Sequence, residues 1–150
     1  MEIMIVVAII GLIAAMGVPS MLLLFRTEGM RKAVDDVQTV CGDARARAIL
    51  QNTTTTVVFH PGDRSFSVEG GSAVHGSGYD NTSKALPDGV DFAMLDVNLM
   101  DFSQSDFARV RFFPNGTCDE MTIVLHSRED WRKITLEFST GLTIVSDVDK

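Results

Sequence analysis

The chain has 150 residues, 45% of them apolar, and a formal net charge of −7. This length suggests one domain with room for a buried core, and the acidic balance argues against a generic basic nucleic-acid binder. The average conceals a split, because residues 3–25 hold 19 apolar side chains in 23 positions and no charge. The composition therefore indicates an apolar stalk joined to an acidic soluble domain and excludes a disordered chain.

The apolar run over residues 3–25 is long enough to cross a membrane. As a helix it would span roughly 35 Å, against a hydrocarbon core of ~30 Å. A core helix of a small domain would need a polar face, which this run lacks. A cleaved secretory signal would have a basic start, a shorter apolar region and a small-residue exit, and these are also missing. The sequence therefore predicts a retained membrane anchor.

Two features of this anchor are unusual. Glu2 lies at the mouth of the run, where an unpaired carboxylate is costly in lipid and commonly marks function. Pro19 removes one backbone hydrogen bond from the helix, and Gly17 beside it lowers the local helix preference. The sequence therefore predicts a kink about two thirds of the way along the anchor.

The segment Glu2-Ile-Met-Ile-Val-Val-Ala-Ile-Ile-Gly-Leu-Ile-Ala-Ala, followed by Gly17-Val-Pro19, resembles the N-terminal segment of type IV pilins and type II secretion pseudopilins. In that family a proline follows the glutamate after 17 residues, the spacing from Glu2 to Pro19 here. The resemblance implies that the helix packs with those of other subunits in a filament, with Glu2, Gly11, Gly17 and Pro19 as assembly residues. It also implies that Glu2 pairs with the methylated N-terminal amine of a neighbouring subunit; a carboxylate lying at headgroup level is the alternative.

The resemblance also implies where the chain is located and how it is processed. It places the anchor in the bacterial inner membrane as a single pass, in contact with lipid, and the C-terminal head in the periplasm and in the assembled filament. The positive-inside rule gives the opposite orientation, because Arg26, Arg31 and Lys32 follow the anchor. We expect a longer precursor with a basic leader ending in Gly-Phe-Thr, on which prepilin peptidase acts.

Residues 26–52 are predicted to continue the helix as an amphipathic half. The polar residues Arg31, Asp35 and Arg45 lie on the side opposite the apolar stripe, which indicates one face packed on a sheet. With the anchor, the helix would be ~75 Å long. The predicted stripe contains Ala33, Val34, Val37, Val40, Cys41, Ala44, Ala48 and Ile49.

Residues 53–150 are predicted to form a β-rich head. The polar, β-branched stretch after residue 50 ends the helix, and short apolar runs separated by turn residues follow it. Residues 70–89 are rich in Gly, Ser and Asn, which predicts a surface loop. The chain is thus predicted to be α+β and pilin-like, with a long kinked N-terminal helix (residues 1–25 the membrane anchor, 26–52 the amphipathic half) packed on an antiparallel β-sheet head. The predicted strands are 55–60, 65–69, 90–95, 110–113, 121–126, 133–138 and 142–146, with Trp131 in the connection 127–132.

The downstream pattern resembles a narrower group, the H-type minor pseudopilins (GspH) and the related FimT minor pilins. A helix ending in Ala44-Arg-Ala-Arg-Ala48, a Phe113-Pro-Asn-Gly116 turn and a terminal hairpin carry this resemblance. It implies a low-copy structural subunit near the tip of a type II secretion or type IV pilus filament. FimT-like members bind DNA through C-terminal arginines, which the tail 142–150 lacks, and acids dilute the basic group at Arg128, Arg132 and Lys133. A minor pilin that binds DNA for uptake, or a surface ligand, is the alternative function.

The sequence predicts no catalytic, cofactor or metal site, and hence no enzyme. His60, His75 and His126 lack metal-ligand spacing with one another or with Cys or Glu. No Gly-x-Ser-x-Gly motif or phosphate-binding loop occurs. The acidic series from Asp88 to Asp106 lacks a calcium-loop pattern and is interpreted as solvated surface.

The two cysteines form a candidate disulfide pair. Cys41 lies on the apolar helix stripe, and Cys118 follows the Asn115-Gly116 turn. An oxidising compartment would permit a disulfide between them. Alternatively Cys41 is a small buried apolar side chain, and a stripe that faces the sheet rather than a loop favours this unpaired state.

Overall fold

The computed structural model describes residues 2–70, 83–128 and 130–148. One long helix, α1 (Glu2–Gln51), begins the fold, and within it the side chains of residues 5–12 and 28–51 are described. The helix continues through Pro19 as one element, so the two predicted halves belong to a single helix. The surroundings of Pro19 lie outside the described residues, and the kink there stays a prediction.

The end of α1 follows from the residues beyond it. Asn52 has a left-handed backbone with φ of 50°, a conformation that asparagine tolerates better than most residues. The amides of Asn52 and Thr53 donate to the carbonyls of Ile49 and Ala48 at 3.4 and 3.2 Å, which satisfies acceptors at the helix end. The polar stretch predicted to end the helix therefore does so.

One face of residues 28–51 is buried against the head, as the three- and four-residue spacing predicts. Val34 packs at the margin of this stripe and is only partly buried. Ile49 was predicted on the stripe, but it is 44% exposed, because it lies in the last turn beside the Gly116 loop. The buried stripe consists of Met30, Ala33, Val37, Val40, Cys41, Ala44 and Ala48.

The described part of the chain after α1 forms nine strands, joined mostly by short turns. All the strand pairs are antiparallel. The strands are β1 (Thr55–His60), β2 (Ser65–Glu69), β3 (Ser83–Ala85), β4 (Asp91–Val97), β5 (Met100–Asp101), β6 (Ala108–Phe112), β7 (Met121–Ser127), β8 (Asp130–Leu136) and β9 (Thr143–Asp147).

The strands form two sheets, both of which contact α1. The first has the order β3-β2-β1-β6 and the second the order β5-β4-β7-β8-β9. Alternate residues point inward, so that Phe59 pairs with Phe66 in the first sheet and Ile123 with Ile134 in the second. The Phe59 ring meets Phe66 at 5.6 Å between centroids and Phe92 of β4, edge to face, at 6.2 Å. The α1 stripe and both sheets thus share one core.

Three details of the head differ from the sequence-based expectations. The head has two sheets rather than one, because β6 pairs with β1 while β4 pairs with β7. The short strand β3 lies within the predicted loop 70–89, of which residues 71–82 are outside the described residues. Trp131 lies in β8, since the hairpin connection is shorter than predicted, and its ring packs 4.2 Å from His126.

Candidate functional site

The part of α1 that projects from the head carries an uncovered apolar surface. Over residues 5–12 the large apolar side chains are between 52% and 66% exposed. No side of this part of the helix is covered, because all eight residues from 5 to 12 are exposed. A helix that is apolar all round requires cover from lipid or other protein. We call residues 5–12 the exposed helix segment.

The four predicted assembly residues all lie in α1, but only one has described surroundings. Gly11 is exposed within the exposed helix segment, and a Cβ added to it would meet nothing within 4 Å. The surroundings of Glu2, Gly17 and Pro19 lie outside the described residues, so their roles stay predictions. In the isolated chain Gly11 therefore leaves an open surface that a neighbouring helix could approach.

Only part of the predicted anchor 3–25 is described at the level of side chains, namely residues 5–12. Among the helical side chains that the structure describes, no stretch is both long and apolar enough to cross a membrane. The remainder of the predicted anchor lies outside those residues.

Polar contacts join the packed part of α1 to the head at three positions along the helix. Lys84 of β3 forms a 2.6 Å ion pair with Asp36. The Gln38 amide donates to the Thr143 hydroxyl of β9 at 3.3 Å. Nearer the helix end, Arg45 Nε donates to the Gly116 carbonyl at 3.4 Å. The helix is thereby tied to both sheets and to the turn after β6.

Arg45 lies in a tight crossing between two turns of the head. A Cβ built on Gly141 would lie 2.8 Å from Arg45 Cδ and 3.1 Å from the Gly116 carbonyl oxygen. Gly141 also has φ of 63°, which glycine adopts without cost. We call Arg45, Gly116 and Gly141 the arginine joint.

The two cysteines lie next to the arginine joint, and both thiols are free and buried. Cys118 Sγ donates to the Glu137 carbonyl at 3.4 Å. Burial raises the pKa of Cys118 to about 11, a rise that Asp119 increases and Arg45 opposes. Burial also raises the pKa of Cys41 to about 12, and the charge of Cys118 adds to this rise. The segment after the turn thus packs on α1, contrary to the expectation that the stripe faces only a sheet.

An ion pair between the exposed Arg111 and the buried Asp119, which the sequence pattern did not predict, holds β6 to the segment before β7. Arg111 Nε and an Arg111 terminal nitrogen donate to the two Asp119 oxygens at 2.8 and 3.1 Å, and Asn98 donates to the same carboxylate at 3.2 Å. Burial opposes ionisation of Asp119, but the hydrogen bonds from Arg111 outweigh it and hold the pKa of Asp119 below its usual value. The alternation of charged and apolar residues in β6 was the only available sequence signal.

The residues considered for catalysis or metal binding are not gathered into one site. His60 lies in the first sheet, with Nδ1 3.3 Å from the Asp106 carbonyl, and His126 lies in the second sheet beside Trp131. His75 lies outside the described residues. Within residues 2–70, 83–128 and 130–148, no three His, Cys, Asp or Glu side chains converge on one point.

The basic group considered for phosphate contact is balanced by acids. Arg132 forms ion pairs with Asp130 and with Asp147 of the tail. Arg132 and Asp130 also line a cleft of about 760 Å³ between α1 and the second sheet, together with Glu28, Gly29, Met30, Arg31, Lys32, Val34, Asp35, Gln38 and Val145. The cleft thus has acids beside its cations, unlike the clustered positive charge that binds phosphate backbones.

Two crystal structures of the type IV minor pilin FimU of Pseudomonas aeruginosa have a fold similar to that of this chain. One gives a TM-score of 0.53 at 13% sequence identity, covering 77% of this chain and 91% of that chain. The other gives a TM-score of 0.53 at 11% identity, covering 79% and 87%. No protein-family model and no curated protein sequence matches the chain. The α+β arrangement of a helix packed on antiparallel sheets is therefore a pilin-like fold.

Proposed function

We propose that the chain is a structural subunit of a filament, a minor pilin or pseudopilin that assembles through its N-terminal helix. The observation that carries this proposal is the exposed helix segment at the end of a pilin-like fold. Each large apolar side chain left in water forgoes about 1.5–3 kcal/mol of burial. The segment therefore needs cover, which lipid provides before assembly and the helices of other subunits provide afterwards.

Transfer of the helix from the membrane to the filament requires little change in free energy. Lipid tails and a bundle of apolar helices are both dry, so the hydrophobic free energy changes little between them. The work of extraction then comes from a cytoplasmic ATPase, and the subunit itself carries out no chemistry. In these dry surroundings a pair between the Glu2 carboxylate and the N-terminal amine of a neighbour is strengthened, which sets the axial register of the subunit.

The remaining features of the proposal concern location, processing and copy number. The anchor over residues 3–25 spans the bacterial inner membrane, and the head over residues 53–150 faces the periplasm. Prepilin peptidase cleaves a longer precursor. The resemblance to the GspH and FimT groups favours a low-copy subunit of either a type II secretion pseudopilus or a type IV pilus.

The proposal is tested by following an epitope-tagged full-length precursor in its native host, with the chromosomal gene deleted. Membranes and sheared filaments are separated and probed for the tag. We expect Ile10→Asp, within the exposed helix segment, to remove the protein from the filament fraction. Leu50→Asp is the matched control, because Leu50 lies on the same helix and is 84% exposed. Equal loss of filament incorporation from both variants would contradict the proposal.

A second variant separates assembly from membrane insertion. Glu2→Gln removes the charge at the mouth of the anchor and leaves the apolar run unchanged. We expect it to stay in the membrane fraction and to enter filaments at less than a tenth of the wild-type level. Normal incorporation of this variant would exclude the proposed carboxylate–amine pair.

DNA binding is tested directly on the full chain in detergent micelles. A gel shift with duplex DNA at low salt that disappears at high salt would favour the alternative, an uptake pilin. The structural proposal predicts no shift, because Arg132 is already paired with two aspartates.

A further inference from the structure

The two cysteines belong to elements that are far apart in sequence and meet in the core. Cys41 is fully buried on the α1 stripe, and Cys118 is 6% exposed in the segment between β6 and β7. Cys118 forms an isolated bridge with Phe112, the last residue of β6. Both cysteines belong to the same cluster of buried residues. The pair therefore lies across the boundary between the helix and the head.

Contacts next to the two cysteines hold α1 and the head in this arrangement. Arg45 follows Cys41 by four residues and so lies on the same helix face, one turn further along. Its Nε donates to the carbonyl of Gly116, two residues before Cys118. The Glu137 carbonyl accepts hydrogen bonds from both Cys118 Sγ and the Gly141 amide, and Gly141 lies directly against the Arg45 side chain.

We propose that Cys41 and Cys118 form an intramolecular disulfide that staples α1 to the head. The oxidant is a disulfide-bonded thiol compound or protein. The Cys118 thiolate attacks one sulfur of the oxidant, which forms a mixed disulfide and releases one oxidant thiolate. The Cys41 thiolate then attacks the Cys118 sulfur and displaces the second oxidant thiolate. Two electrons pass to the oxidant, which takes up the two protons lost by the cysteines.

The surroundings tolerate the loss of both thiol hydrogens. Oxidation removes the hydrogen bond from Cys118 Sγ to the Glu137 carbonyl. That carbonyl keeps the 2.8 Å hydrogen bond from the Gly141 amide, so no buried acceptor is left without a donor. A neutral disulfide also suits the apolar cluster better than either thiolate, whose formation burial opposes.

Burial determines when the bond forms. Thiolates are the attacking species, and at neutral pH both raised pKa values leave few of them in the folded chain. Oxidation of the folded protein is therefore slow, and it proceeds readily while the head is still folding. Cys118, which is 6% exposed where Cys41 is fully buried, is the residue that reacts first.

The staple closes a loop of about 78 residues, from the last third of α1 to the segment between β6 and β7. Loop closure of this size raises the folding equilibrium constant by roughly a thousandfold in the chain-entropy model. It also links the helix, which carries the assembly contacts of the proposed function, covalently to the head. A force applied to the helix during extraction would then be borne by a covalent bond as well as by packing.

The test uses the full chain purified in detergent, reduced, unfolded in urea and refolded with oxidised glutathione. Remaining thiols are blocked with N-ethylmaleimide in denaturant, and the intact mass and tryptic peptides are measured. We expect no maleimide adduct, a mass lower by two hydrogens and one peptide pair joining Cys41 to Cys118. Two adducts per chain, or only disulfide-linked dimers, would overturn the proposal.

Two further arms make the result specific. Cys41→Ser cannot complete the second step, so we expect it to retain glutathione on Cys118, and loss of this adduct would contradict the proposed order. The second arm compares urea unfolding of the oxidised and the reduced wild-type chain, so no substitution is involved. The oxidised form should unfold at a higher urea concentration. An unchanged midpoint would show that the bond is no staple. None of these readouts depends on filament incorporation, so the staple and the filament proposal can fail separately.

Discussion

The arginine joint makes a quantitative prediction about Gly141. An alanine there would place a Cβ 2.8 and 2.9 Å from Arg45 Cδ and Nε, and 3.1 Å from the Gly116 carbonyl oxygen. The backbone φ of 63° adds about 1–2 kcal/mol for a residue other than glycine. The crowding adds about 1–2 kcal/mol more, because the carbonyl cannot move freely. We expect Gly141→Ala to lower the free energy of unfolding of the head by about 2–4 kcal/mol.

Two other glycines separate these contributions. Gly89 has φ of 83° but nothing within 4 Å of an added Cβ, so Gly89→Ala should lose only about 1–2 kcal/mol. Gly62 also has open space around an added Cβ and no positive φ, so Gly62→Ala should change stability by less than about 0.5 kcal/mol. The series thus isolates the close approach of Arg45 from backbone strain.

The assay is urea unfolding of the full chain in detergent, followed by the fluorescence of Trp131, the single tryptophan. Because Trp131 packs against His126 in the second sheet, its emission reports on the head. Equal losses for Gly141→Ala and Gly89→Ala would refute the crowding argument. Arg45→Ala provides the confirming cycle, since in that background Gly141→Ala should cost about 1 kcal/mol less.

Three further predictions concern the contacts that hold the head together. Because the pKa of Asp119 is lowered in the folded chain, its ionised carboxylate stabilises the fold at a pH above the ordinary aspartate pKa. This stabilisation is lost as the pH falls below about 4. Unfolding midpoints measured from pH 6 to pH 3 should therefore fall more steeply for wild type than for Asp119→Asn, and parallel curves would exclude the Arg111 pair as the cause. Ala44→Leu should lower the free energy of unfolding in urea by about 1–3 kcal/mol, since Ala44 is fully buried, and an unchanged midpoint would deny close packing there. Lys84→Met should lower the free energy of unfolding by about 0.5–1 kcal/mol and weaken its dependence on salt concentration, whereas an unchanged salt dependence would show that the Asp36 pair contributes nothing.

The comparison of the chain with FimU bears on fold alone. At 11–13% identity, few side chains are shared, yet the helix and the sheets occupy corresponding places. The proposal of a filament function therefore rests on the exposed helix segment, and the incorporation experiment tests it.

The sequence by itself determined the local features of this protein. Three- and four-residue spacing predicted the buried stripe, and alternation predicted most strands to within a few residues, because both patterns record which face of an element meets the core. The exposed helix segment could likewise be predicted, since no polar face interrupts the apolar run. These features depend on neighbours along the chain, which a sequence displays directly.

Only the tertiary structure decided which distant elements meet. The separation into two sheets, the Arg111–Asp119 pair and the arginine joint all depend on contacts between residues brought together by strand pairing. The clearest case is Cys118, which the sequence placed merely after a turn and the structure places in the buried core that it shares with Cys41 and the α1 stripe. No local pattern encodes such a contact, because it arises from how the helix and both sheets pack into one core.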